Sequence, residues 1–406
     1  MVRVLLNALA ATAGGGVTYL KNVLPRLSVL KNNNRFFVLV PPDRQSDYAR
    51  LAGPDVSIET IHHGAGLFGR FFWEQTGLRS YIKSRKIDAL VSLGNFALFA
   101  SPVPQILFNR NDLYFSRFFA DDLKVRGLYS ALIRHRLKSL LARASVKEAD
   151  LNLAPTKAFV DRISGGKARG GAKSSRFRVL PFGFDWAGFT AGGEPLPREQ
   201  VGKIDLSENC YRILYVSHYN YFRNFETLIR ALPIIREKIR EQEGKEIQLI
   251  LTTDIRRGAV YGGYDSTQTA SLIARLDLNG SIAMLGSVPY ERLHRLYRLC
   301  DLCVCPSYAE SFSHPLVEAM AMGVPVAAAN LDVHREVCGE AAAYFDVFNE
   351  MQLAMRCVEV LTNRRLQEEL RMKGAERIRH FSWDEHIQGL LALIEILLVN
   401  RRREHC

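Results

Sequence analysis

The stretch LCVCPSYAESFSHPLVEAMAMGVPVAAA, residues 302–329, decides the fold. Its two short apolar runs, at 302–307 and 324–329, are typical of buried parallel strands. The segment between them predicts a helix, because Pro315 suits the first position of a helix and Gly323 suits a helix exit. A strand, a helix and a second strand in this order predict a βαβ unit.

The same alternation extends over both halves of the chain. In the first half we predict strands at 2–10, 36–40, 89–92 and 105–108, with helices at 17–30 and 123–149. In the second half we predict strands at 211–217, 247–253, 282–288, 302–307 and 324–329, with helices at 224–239, 267–276, 290–299 and 315–322. We therefore expect an α/β protein with two doubly wound, Rossmann-like domains facing a central cleft.

Composition places the domain boundary near the middle of the 406-residue chain. Residues 164–178 are rich in glycine and serine and contain no acid, which predicts a mobile loop. GGEPLPREQ, residues 192–200, predicts an interdomain linker. We expect one domain at 1–190, joined by 385–406, and a second domain at 205–384.

The net charge of +12 lies entirely in the first half. Residues 1–200 carry 29 Lys and Arg against 15 Asp and Glu, whereas residues 201–406 carry 25 against 27. This asymmetry predicts an anionic partner for one domain: nucleic acid, anionic lipid or a phosphorylated substrate. The apolar fraction of 48% and the charged fraction of 24% exclude a globally disordered chain.

Cysteine usage and the apolar runs predict the compartment. Seven cysteines make a disulfide scaffold improbable and favour a reducing cytoplasm. Cys300, Cys303 and Cys305 alternate as in a strand and have no second ligand pair nearby, so we interpret them as core residues and not as metal ligands. The first residues predict a strand and not a signal peptide, and the apolar run 390–399 is too short to span a membrane.

The segment before the predicted helix 315–322 has the features of an anion site. Backbone N–H groups and the positive end of the helix dipole meet there, which suits a diphosphate. Glu310 lies in this segment and Glu318 lies about one turn inside the helix. Carboxylates in these places can accept hydrogen bonds from sugar or ribose hydroxyls. The alternative is an ordinary α/β crossover with two surface acids.

The two glutamates, with seven residues between them and followed by EAMA-x-G-x-PV, resemble the donor-site signature of the family-4 retaining glycosyltransferases of GT-B fold, also called glycosyltransferase group 1. The resemblance covers nearly the whole chain and is firmest over 211–345. It implies a nucleotide-diphosphate sugar donor and no metal cofactor. It also implies an amino-terminal acceptor-binding domain, a carboxyl-terminal donor-binding domain, and a helix over 381–397 that crosses back to the first domain.

The resemblance also implies individual residues. In YVSHYNYFRNFETLIRAL, residues 215–232, the two basic positions that grip the donor diphosphate are His218 and Arg223, and with Glu310 they form the predicted catalytic set. His218 stands where arginine is usual, and its alternative is a surface residue at a strand end. The predicted donor-binding residues are Gly15, Gly16, Val288, Ser313, His314, Pro315, Leu316 and Glu318. For the glycines the alternative is a simple turn between strand and helix.

The resemblance also implies acceptor contacts in two further segments. FNRNDLYF, residues 108–115, follows a predicted strand, and FGRFFWEQ, residues 68–75, resembles a Trp-Glu-Gln element of relatives that act on surface polysaccharides. For the second segment, core packing of its aromatic side chains is an equal alternative. The acceptor candidates are Trp73, Glu74, Asn109, Arg110, Asn111 and Asp112.

These observations predict a retaining, metal-independent hexosyltransferase. It would move a hexose such as mannose from a nucleotide-diphosphate sugar to a hydroxyl of a growing glycan, including a lipid-linked one, in surface polysaccharide biosynthesis. The alternatives are a nucleotide-sugar epimerase or phosphorylase of the same fold, or a non-catalytic sugar-binding relative. The charge alone would also fit a nucleic-acid-binding protein, but no RNA-binding signature or helix-turn-helix supports one, so we expect no nucleic-acid partner.

Charge within the first half predicts where a membrane would bind. Residues 110–147 carry nine Lys and Arg against three acids, on a stretch that includes a predicted basic amphipathic helix. Such a helix suits the surface of an anionic membrane, and its alternative is a solvated helix face. We therefore expect a cytoplasmic protein that contacts the inner face of the cytoplasmic membrane peripherally.

Overall fold

The computed structural model describes residues 1–12, 14–29, 34–61, 66–166 and 176–404. Most of the predicted mobile loop, residues 167–175, lies outside the described residues. The chain forms two compact units. Unit 1 comprises Met1–Ser116, Leu123–Gly183 and Ser382–Cys406, and unit 2 comprises Arg117–Asp122 and Phe184–Phe381.

Unit 1 is built on a seven-stranded parallel sheet. Its strands are β1 (Val2–Asn7), β2 (Asn34–Leu39), β3 (Val56–Glu59), β4 (Ala89–Ser92), β5 (Gln105–Phe108), β6 (Leu151–Ala154) and β7 (Phe177–Val179). The spatial order is β3-β2-β1-β4-β5-β6-β7, so the direction of winding reverses between β1 and β4. Strands β4 and β5 are buried along their whole length, as expected for a sheet that helices cover on both faces.

Six α-helices occur between β1 and β7 in the described part of the chain. They are α1 (Gly15–Val29), α2 (Gln45–Ala49), α3 (Gly66–Ser84), α4 (Arg117–Val125), α5 (Tyr129–Glu148) and α6 (Lys157–Ser164). The prediction of one helix over 123–149 was wrong. The chain turns between α4 and α5 at Gly127, whose φ of 70° lies in the left-handed region that glycine adopts without strain.

Helix α5 carries apolar side chains on both of its faces. The side chains that it buries include Leu132, His135 and Ala142. The opposite side exposes four large residues at helical spacing, each with between 58% and 64% of its surface accessible, which we call the apolar row: Tyr129, Ile133, Leu137 and Leu140. This helix therefore differs from the expected pattern of one apolar buried face and one polar face.

Unit 2 is built on a six-stranded parallel sheet and a short antiparallel hairpin. The sheet strands are β8 (Cys210–Tyr215), β9 (Glu246–Leu251), β12 (Ile282–Met284), β13 (Leu302–Cys305), β14 (Val326–Ala329) and β15 (Ala343–Phe345), and the hairpin strands are β10 (Val260–Tyr261) and β11 (Tyr264–Asp265). The sheet order is β12-β9-β8-β13-β14-β15, with Leu302 paired to Ile213. Strand β12 is shorter than predicted because the chain leaves the sheet before Gly286, where φ is 69°.

The helices of unit 2 connect the strands and cover the sheet. They are α7 (Trp186–Thr190), α8 (Arg198–Val201), α9 (Phe225–Glu243), α10 (Thr267–Arg275), α11 (Tyr290–Arg298), α12 (His314–Ala321), α13 (Asp332–Cys338), α14 (Glu350–Thr362) and α15 (Arg364–Arg377). The predicted βαβ unit is confirmed as β13, α12 and β14, with β13 and β14 adjacent and parallel.

Helix α16 (Trp383–Glu404) belongs to unit 1, although unit 2 precedes it in the sequence. The Trp383 ring contacts the rings of Tyr19 and Phe182, with centroids 5.8 Å and 6.0 Å away. His386 accepts a hydrogen bond from the Tyr19 hydroxyl at 3.1 Å, while its Nδ1 donates to the Pro181 carbonyl at 2.7 Å. The predicted return of the last helix to the first domain is therefore confirmed. Within the described residues, no helix has both the length and the apolar character of a membrane span.

Candidate functional site

The candidate site lies at the edge of the unit 2 sheet where the winding reverses, between β8 and β13. In open α/β sheets, ligands bind at the carboxyl ends of strands at such a switch point. Two connections leave this edge. We call residues 216–224, which follow β8, the Arg223 loop, and residues 306–313, which follow β13, the Glu310 loop.

Hydrogen bonds hold the two loops side by side. The Tyr308 backbone N–H donates to the Phe222 carbonyl at 3.0 Å, and the Asn224 side-chain amide donates to the Pro306 carbonyl at 3.0 Å. The hydroxyl of Tyr215, the last residue of β8, donates to the Arg223 carbonyl at 2.7 Å. These contacts fix the backbone that carries both predicted charged residues.

Arg223 and Glu310 meet as an ion pair in which Nη1 of Arg223 donates to Oε1 of Glu310. Nη1 also lies 3.5 Å from the Ser307 hydroxyl. The Glu310 residue is 8% exposed, while the Arg223 side chain keeps 26% of its surface accessible. Nε of Arg223 has no hydrogen-bond partner among the described residues. The guanidinium group is thus oriented by a carboxylate and still has donor capacity to spare.

Helix α12 begins directly after the Glu310 loop, so the positive end of its dipole adjoins that loop. Ser313 precedes the helix with φ of 71°, an uncommon conformation for a residue with a side chain. The helix starts at His314, whose ring packs edge-on against Phe312 at a centroid distance of 5.1 Å. Pro315 occupies the second helical position and Leu316 is fully buried.

Glu318 lies under helix α12 and is only 4% exposed. The Tyr297 hydroxyl donates to its Oε2 at 2.9 Å and lies 3.2 Å from the Pro315 carbonyl. Burial raises the pKa of Glu318 to about 7, and the hydrogen bond from Tyr297 only partly opposes this. The carboxyl group is therefore substantially protonated near neutral pH. Its predicted donor contact stays a prediction.

His218 and Val288 lie on two connections at the carboxyl edge of the same sheet. His218 is an exposed residue of the Arg223 loop, and Val288 is a half-buried residue between β12 and α11. Desolvation by the surrounding chain lowers the pKa of His218, and the charge of Arg223 lowers it further. His218 is thus mainly neutral at pH 7 and can offer hydrogen bonds rather than charge.

In unit 1, the predicted glycines form the tight entry to helix α1. A Cβ on Gly16 would lie 3.0 Å from the Ala11 Cα, so this turn packs closely on itself, whereas a Cβ on Gly15 would meet nothing nearer than Nη2 of Arg110 at 3.8 Å. Arg110 donates to the Gly15 carbonyl and lies over the Tyr19 ring, 4.6 Å from its centroid. Burial lowers the pKa of Arg110 to about 10, so it stays charged at neutral pH.

The other residues of FNRNDLYF have partners inside unit 1. The Asn111 side chain accepts a hydrogen bond from the Leu113 N–H at 3.1 Å and caps a short 3₁₀ turn. Asn109 is fully buried. Asp112 is 3% exposed and forms an ion pair with Arg162; burial raises the pKa of Asp112 to about 6, although Arg162 opposes the shift.

Trp73 and Glu74 lie on helix α3. Trp73 packs against the buried cluster that contains Leu5 and Leu90. Glu74 is 8% exposed and accepts a hydrogen bond from the Asn7 side chain at 3.1 Å, at the carboxyl end of β1. Both side chains thus have packing or hydrogen-bonding roles within unit 1, and their predicted acceptor contacts stay predictions.

Sequence reasoning missed His334, which lies on helix α13 beyond β14. Its Nε2 is 3.8 Å from Sγ of Cys305, the last residue of β13. The sequence contained one weak signal: His334 follows a predicted strand that neighbours β13, so both residues belong to the same sheet edge. Cys305 is buried at 2% exposure, as predicted for a core cysteine.

Two Rossmann-like parallel sheets in one chain, each with a switch point, define the GT-B class of α/β proteins. The predicted α/β class, with two doubly wound, Rossmann-like sheets, is confirmed. HepE from Anabaena, solved in complex with UDP and glucose, has the same fold: the TM-score is 0.70 at 18% identity, over 97% of this chain and 100% of that one.

Residues 198–377 match the family described as Glycosyl transferases group 1. The resemblance carried by Glu310, Glu318 and the residues that follow them is therefore confirmed.

Two curated relatives illustrate the family. A D-inositol 3-phosphate glycosyltransferase from Salinispora arenicola is 29% identical over 259 residues, which is 61% of this chain and 54% of the relative. The O-antigen chain mannosyltransferase B of Escherichia coli is 32% identical over 171 residues, 42% of each chain. The chain thus spans about half the length of the curated relatives it matches.

Proposed function

We propose that the protein is a retaining glycosyltransferase that moves a hexose from a nucleotide-diphosphate sugar to a hydroxyl of a growing glycan. The observation that carries this proposal is the Arg223–Glu310 pair at the switch point of unit 2, within the part of the chain that matches the family. The UDP and glucose bound to HepE support a nucleotide-sugar donor, and the O-antigen mannosyltransferase supports a hexose and a surface polysaccharide.

Departure of a nucleoside diphosphate requires positive potential where the negative charge develops. The forked guanidinium of Arg223 matches two phosphate oxygens, and the amino end of α12 adds its dipole from the side of the Glu310 loop. Glu310 holds the guanidinium in place through Oε1, which leaves Oε2 as an acceptor for a sugar hydroxyl. These groups supply what a metal ion supplies in other transferases, so we propose transfer without a metal cofactor.

Retention without a covalent enzyme intermediate requires that the acceptor attack on the face that the leaving group vacates. In the proposed step, the bond from the anomeric carbon to the phosphate oxygen breaks and the acceptor oxygen bonds to that carbon on the same face. The acceptor proton passes to the departing phosphate. His218, neutral at pH 7, would donate a hydrogen bond to the donor, while Gly15, Gly16, Val288, Ser313 and Glu318 remain proposed donor contacts.

Nucleotide binding tests the donor half of this proposal. UDP, GDP, ADP and TDP are titrated into the purified full chain by calorimetry. Arg223→Ala is expected to weaken the preferred nucleotide about 10- to 100-fold, because a hydrogen bond to a charged group contributes about 1.5–3 kcal/mol. The matched control is Arg212→Ala, which removes an arginine that pairs with Asp301 in the same unit at 3.2 Å.

Transfer assays with the same variants test the reaction itself. We expect Arg223→Ala and Glu310→Ala to lose transfer from the preferred donor while Arg212→Ala keeps it, and we expect excess EDTA not to abolish transfer. Full activity in either site variant would refute the site. A nucleotide that binds but is never transferred to any glycan would indicate a sugar-binding relative, and rearranged donor sugar without acceptor would indicate an epimerase.

We also propose that helix α5 binds an anionic membrane that presents a lipid-linked acceptor. The apolar row supports this, since four large side chains at helical spacing are exposed on one face. Arg134, Arg136, Arg143 and Lys147 are exposed on the same helix. Apolar residues flanked by cations fit the headgroup region, where each basic residue contributes about 1 kcal/mol.

Vesicle co-sedimentation tests the membrane proposal. The full chain is expected to bind phosphatidylcholine vesicles that contain phosphatidylglycerol and to bind pure phosphatidylcholine weakly. Ile133→Ser with Leu137→Ser should reduce binding at least about fivefold, since each change removes apolar contact area. The control, Met351→Ser with Met355→Ser, changes two exposed apolar residues one turn apart on α14 and should bind as the parent does. Binding indifferent to anionic lipid would refute the proposal.

A further inference from the structure

Three buried side chains of metal-binding type converge behind the Arg223–Glu310 pair. Cys305 ends strand β13, Glu310 lies in the loop that follows, and His334 lies on helix α13. Their ligand atoms, one sulfur, one carboxylate oxygen and one ring nitrogen, all lie within 4.8 Å of one another. Sulfur, nitrogen and oxygen in this combination are ligands that zinc accepts.

The distances fit a tetrahedral ion. Zinc binds thiolate sulfur at about 2.3 Å and imidazole nitrogen at about 2.0 Å, so tetrahedral geometry places these two atoms about 3.5 Å apart. Sγ of Cys305 lies 3.8 Å from Nε2 of His334. Small side-chain rotations would therefore suffice to bring both atoms to one ion.

The surroundings prepare the ligands for a cation. Nδ1 of His334 donates to the Ala329 carbonyl at 2.8 Å, which fixes the ring and leaves the lone pair of Nε2 facing Cys305. An outer hydrogen bond of this type is the usual partner of a metal-binding histidine. The hydroxyls of Ser307 and Ser313 lie 3.7 Å and 3.6 Å from the Cys305 sulfur and offer oxygen near a fourth position.

We propose that Cys305, Glu310 and His334 form a binding site for Zn²⁺ or a similarly thiophilic divalent cation, and that the bound cation competes with Arg223 for Glu310. On binding, the Cys305 thiol releases its proton to solvent and the cation takes the thiolate, a carboxylate oxygen and the neutral imidazole. The cation site is independent of the proposed transfer reaction. Its effect on the donor rests on that proposal, because it requires Arg223 to hold the diphosphate.

The competition follows from shared use of one carboxylate. Glu310 already orients Arg223 through Oε1, and a divalent ion beside it would draw the carboxylate toward Cys305 and place like charge near the guanidinium. Arg223 would then lose the partner that positions it. Because coupling between two sites is reciprocal, the donor would weaken cation binding by the same factor.

Cobalt is the direct probe, because Co²⁺ replaces Zn²⁺ and absorbs light when thiolate binds it. The reduced, chelator-treated full chain is titrated with Co²⁺, and we expect one equivalent to give a thiolate charge-transfer band that Zn²⁺ then removes. Cys305→Ala and His334→Asn should each weaken Co²⁺ at least about 100-fold, as expected for loss of a ligand.

Two matched variants test whether Cys305 and His334 are the cation ligands. Cys303→Ala changes the buried cysteine two residues earlier on the same strand, and His294→Asn changes a buried histidine of α11; both should keep the band. Loss of the band in Cys303→Ala, or its survival in Cys305→Ala, would overturn the site. Thermal unfolding shows which variants fold. If Cys305→Ala does not fold, Cys305→Ser and His334→Asn test the same site.

Nucleotide affinity, measured with and without Zn²⁺, tests the competition between the cation and the donor. UDP, or the nucleotide that binds best, is titrated with and without one equivalent of Zn²⁺, and we expect Zn²⁺ to weaken it at least about fivefold. Unchanged nucleotide affinity in the presence of bound Zn²⁺ would overturn the competition. If no nucleotide binds at all, the donor proposal fails, while the cobalt spectrum still decides the cation site.

Discussion

The two sheets place arginines at their carboxyl edges, and the partners of those arginines differ. In unit 2, Arg223 meets a carboxylate and a hydroxyl and keeps a quarter of its side chain accessible. In unit 1, Arg110 lies over the rings of Tyr19 and Phe182 and donates to a turn carbonyl. Arg223 therefore presents a positive charge at the edge of the unit 2 sheet, whereas Arg110 supports the loops of unit 1.

The carboxylates show the same difference. The Asp112 side chain of unit 1, paired with Arg162, is 1% exposed, whereas the Glu310 side chain of unit 2 is 9% exposed; the two arginine side chains are similarly accessible, at 28% and 26%. Losing one partner of an ion pair costs most where the remaining charge is most fully buried. The Glu310 carboxylate keeps more accessible surface than that of Asp112, so it is better placed to exchange its partner for a ligand.

Removing the arginine from each pair should give the largest effects. Arg162→Met leaves Asp112 buried without its cation, and we expect unit 1 to lose about 3 kcal/mol of unfolding free energy at pH 8. Because burial already raises the pKa of Asp112 to about 6, the loss should shrink at pH 5, where the carboxyl group is protonated. Urea unfolding, followed by the fluorescence of Trp383, measures this loss of unfolding free energy at the two pH values.

Arg223→Met removes the arginine from the Arg223–Glu310 pair of unit 2. It should destabilise unit 2 less than Arg162→Met destabilises unit 1, because the Glu310 side chain is 9% exposed and that of Asp112 only 1%. It should weaken nucleotide binding about 10- to 100-fold, whereas Arg162→Met should leave that binding unchanged. Equal losses of nucleotide affinity in the two variants would show that the distinction between the two pairs is wrong.

A buried carboxyl group gives unit 2 a pH dependence of its own. The pKa of Glu318 is about 7 in the fold and lies near 4.5 ordinarily, so the folded state binds the extra proton between these values and is destabilised as pH rises through them. Glu318→Gln should therefore stabilise unit 2 by about 2 kcal/mol at pH 8 and by much less at pH 5. Trp186, which lies in unit 2, reports the unfolding; an equal gain at both pH values would contradict the assignment.

Unit 1 contains a buried group that acts in the opposite direction. Burial lowers the pKa of His386 to about 4, so stability is lost as pH falls from about 6.5 toward 4, where the unfolded state takes up the proton first. Between pH 7.5 and pH 4.5 this group should remove about 2 kcal/mol from unit 1. The test is the difference between the parent and His386→Gln over that interval, followed in a Trp186→Phe background so that only Trp73 and Trp383 report.

The smallest expected effect separates two adjacent glycines. Gly16→Ala would bring a Cβ to 3.0 Å from the Ala11 backbone and should cost about 1 kcal/mol, whereas Gly15→Ala meets only ordinary contact and should change stability by less than about 0.5 kcal/mol. Thermal unfolding of the two variants measures the difference. A larger loss in Gly15→Ala would mean that the turn packs differently.

Most of the architecture was predictable, because the strands of both sheets are nearly continuous buried runs. The carboxyl ends were the exception. The strand predicted over 302–307 ends at Cys305, and the next residues, Ser307 and Tyr308, are as buried as the strand itself. Hydropathy therefore cannot mark where a strand stops and a site loop begins, since both are shielded from water.

Helix α5 shows another limit. Its apolar residues lie on both faces, so periodicity alone cannot tell which face packs. The face that unit 1 covers includes His135 and Ser145, and the apolar row is the face left outside. The helix break before α5 was missed because Gly127 adopts a left-handed conformation that the residue type permits but does not require.

For the site, the sequence identified Arg223 and Glu310 separately but not their ion pair. They are 87 residues apart, and their contact depends on side-chain directions at two neighbouring strand ends. His334 has no motif partner and is 29 residues from Cys305, so only the pairing of β13 with β14 brings them together. Long-range side-chain geometry, and not chain topology, is what sequence reasoning could not supply.

Helix α16 determines the order in which the protein can be completed during synthesis. Residues 383–404 supply Trp383 and His386 to the core of unit 1, yet the ribosome makes them after every residue of unit 2. Unit 2 can therefore fold on the nascent chain while unit 1 waits for its last helix. A premature stop codon near residue 380 would damage the part of the protein that was translated first.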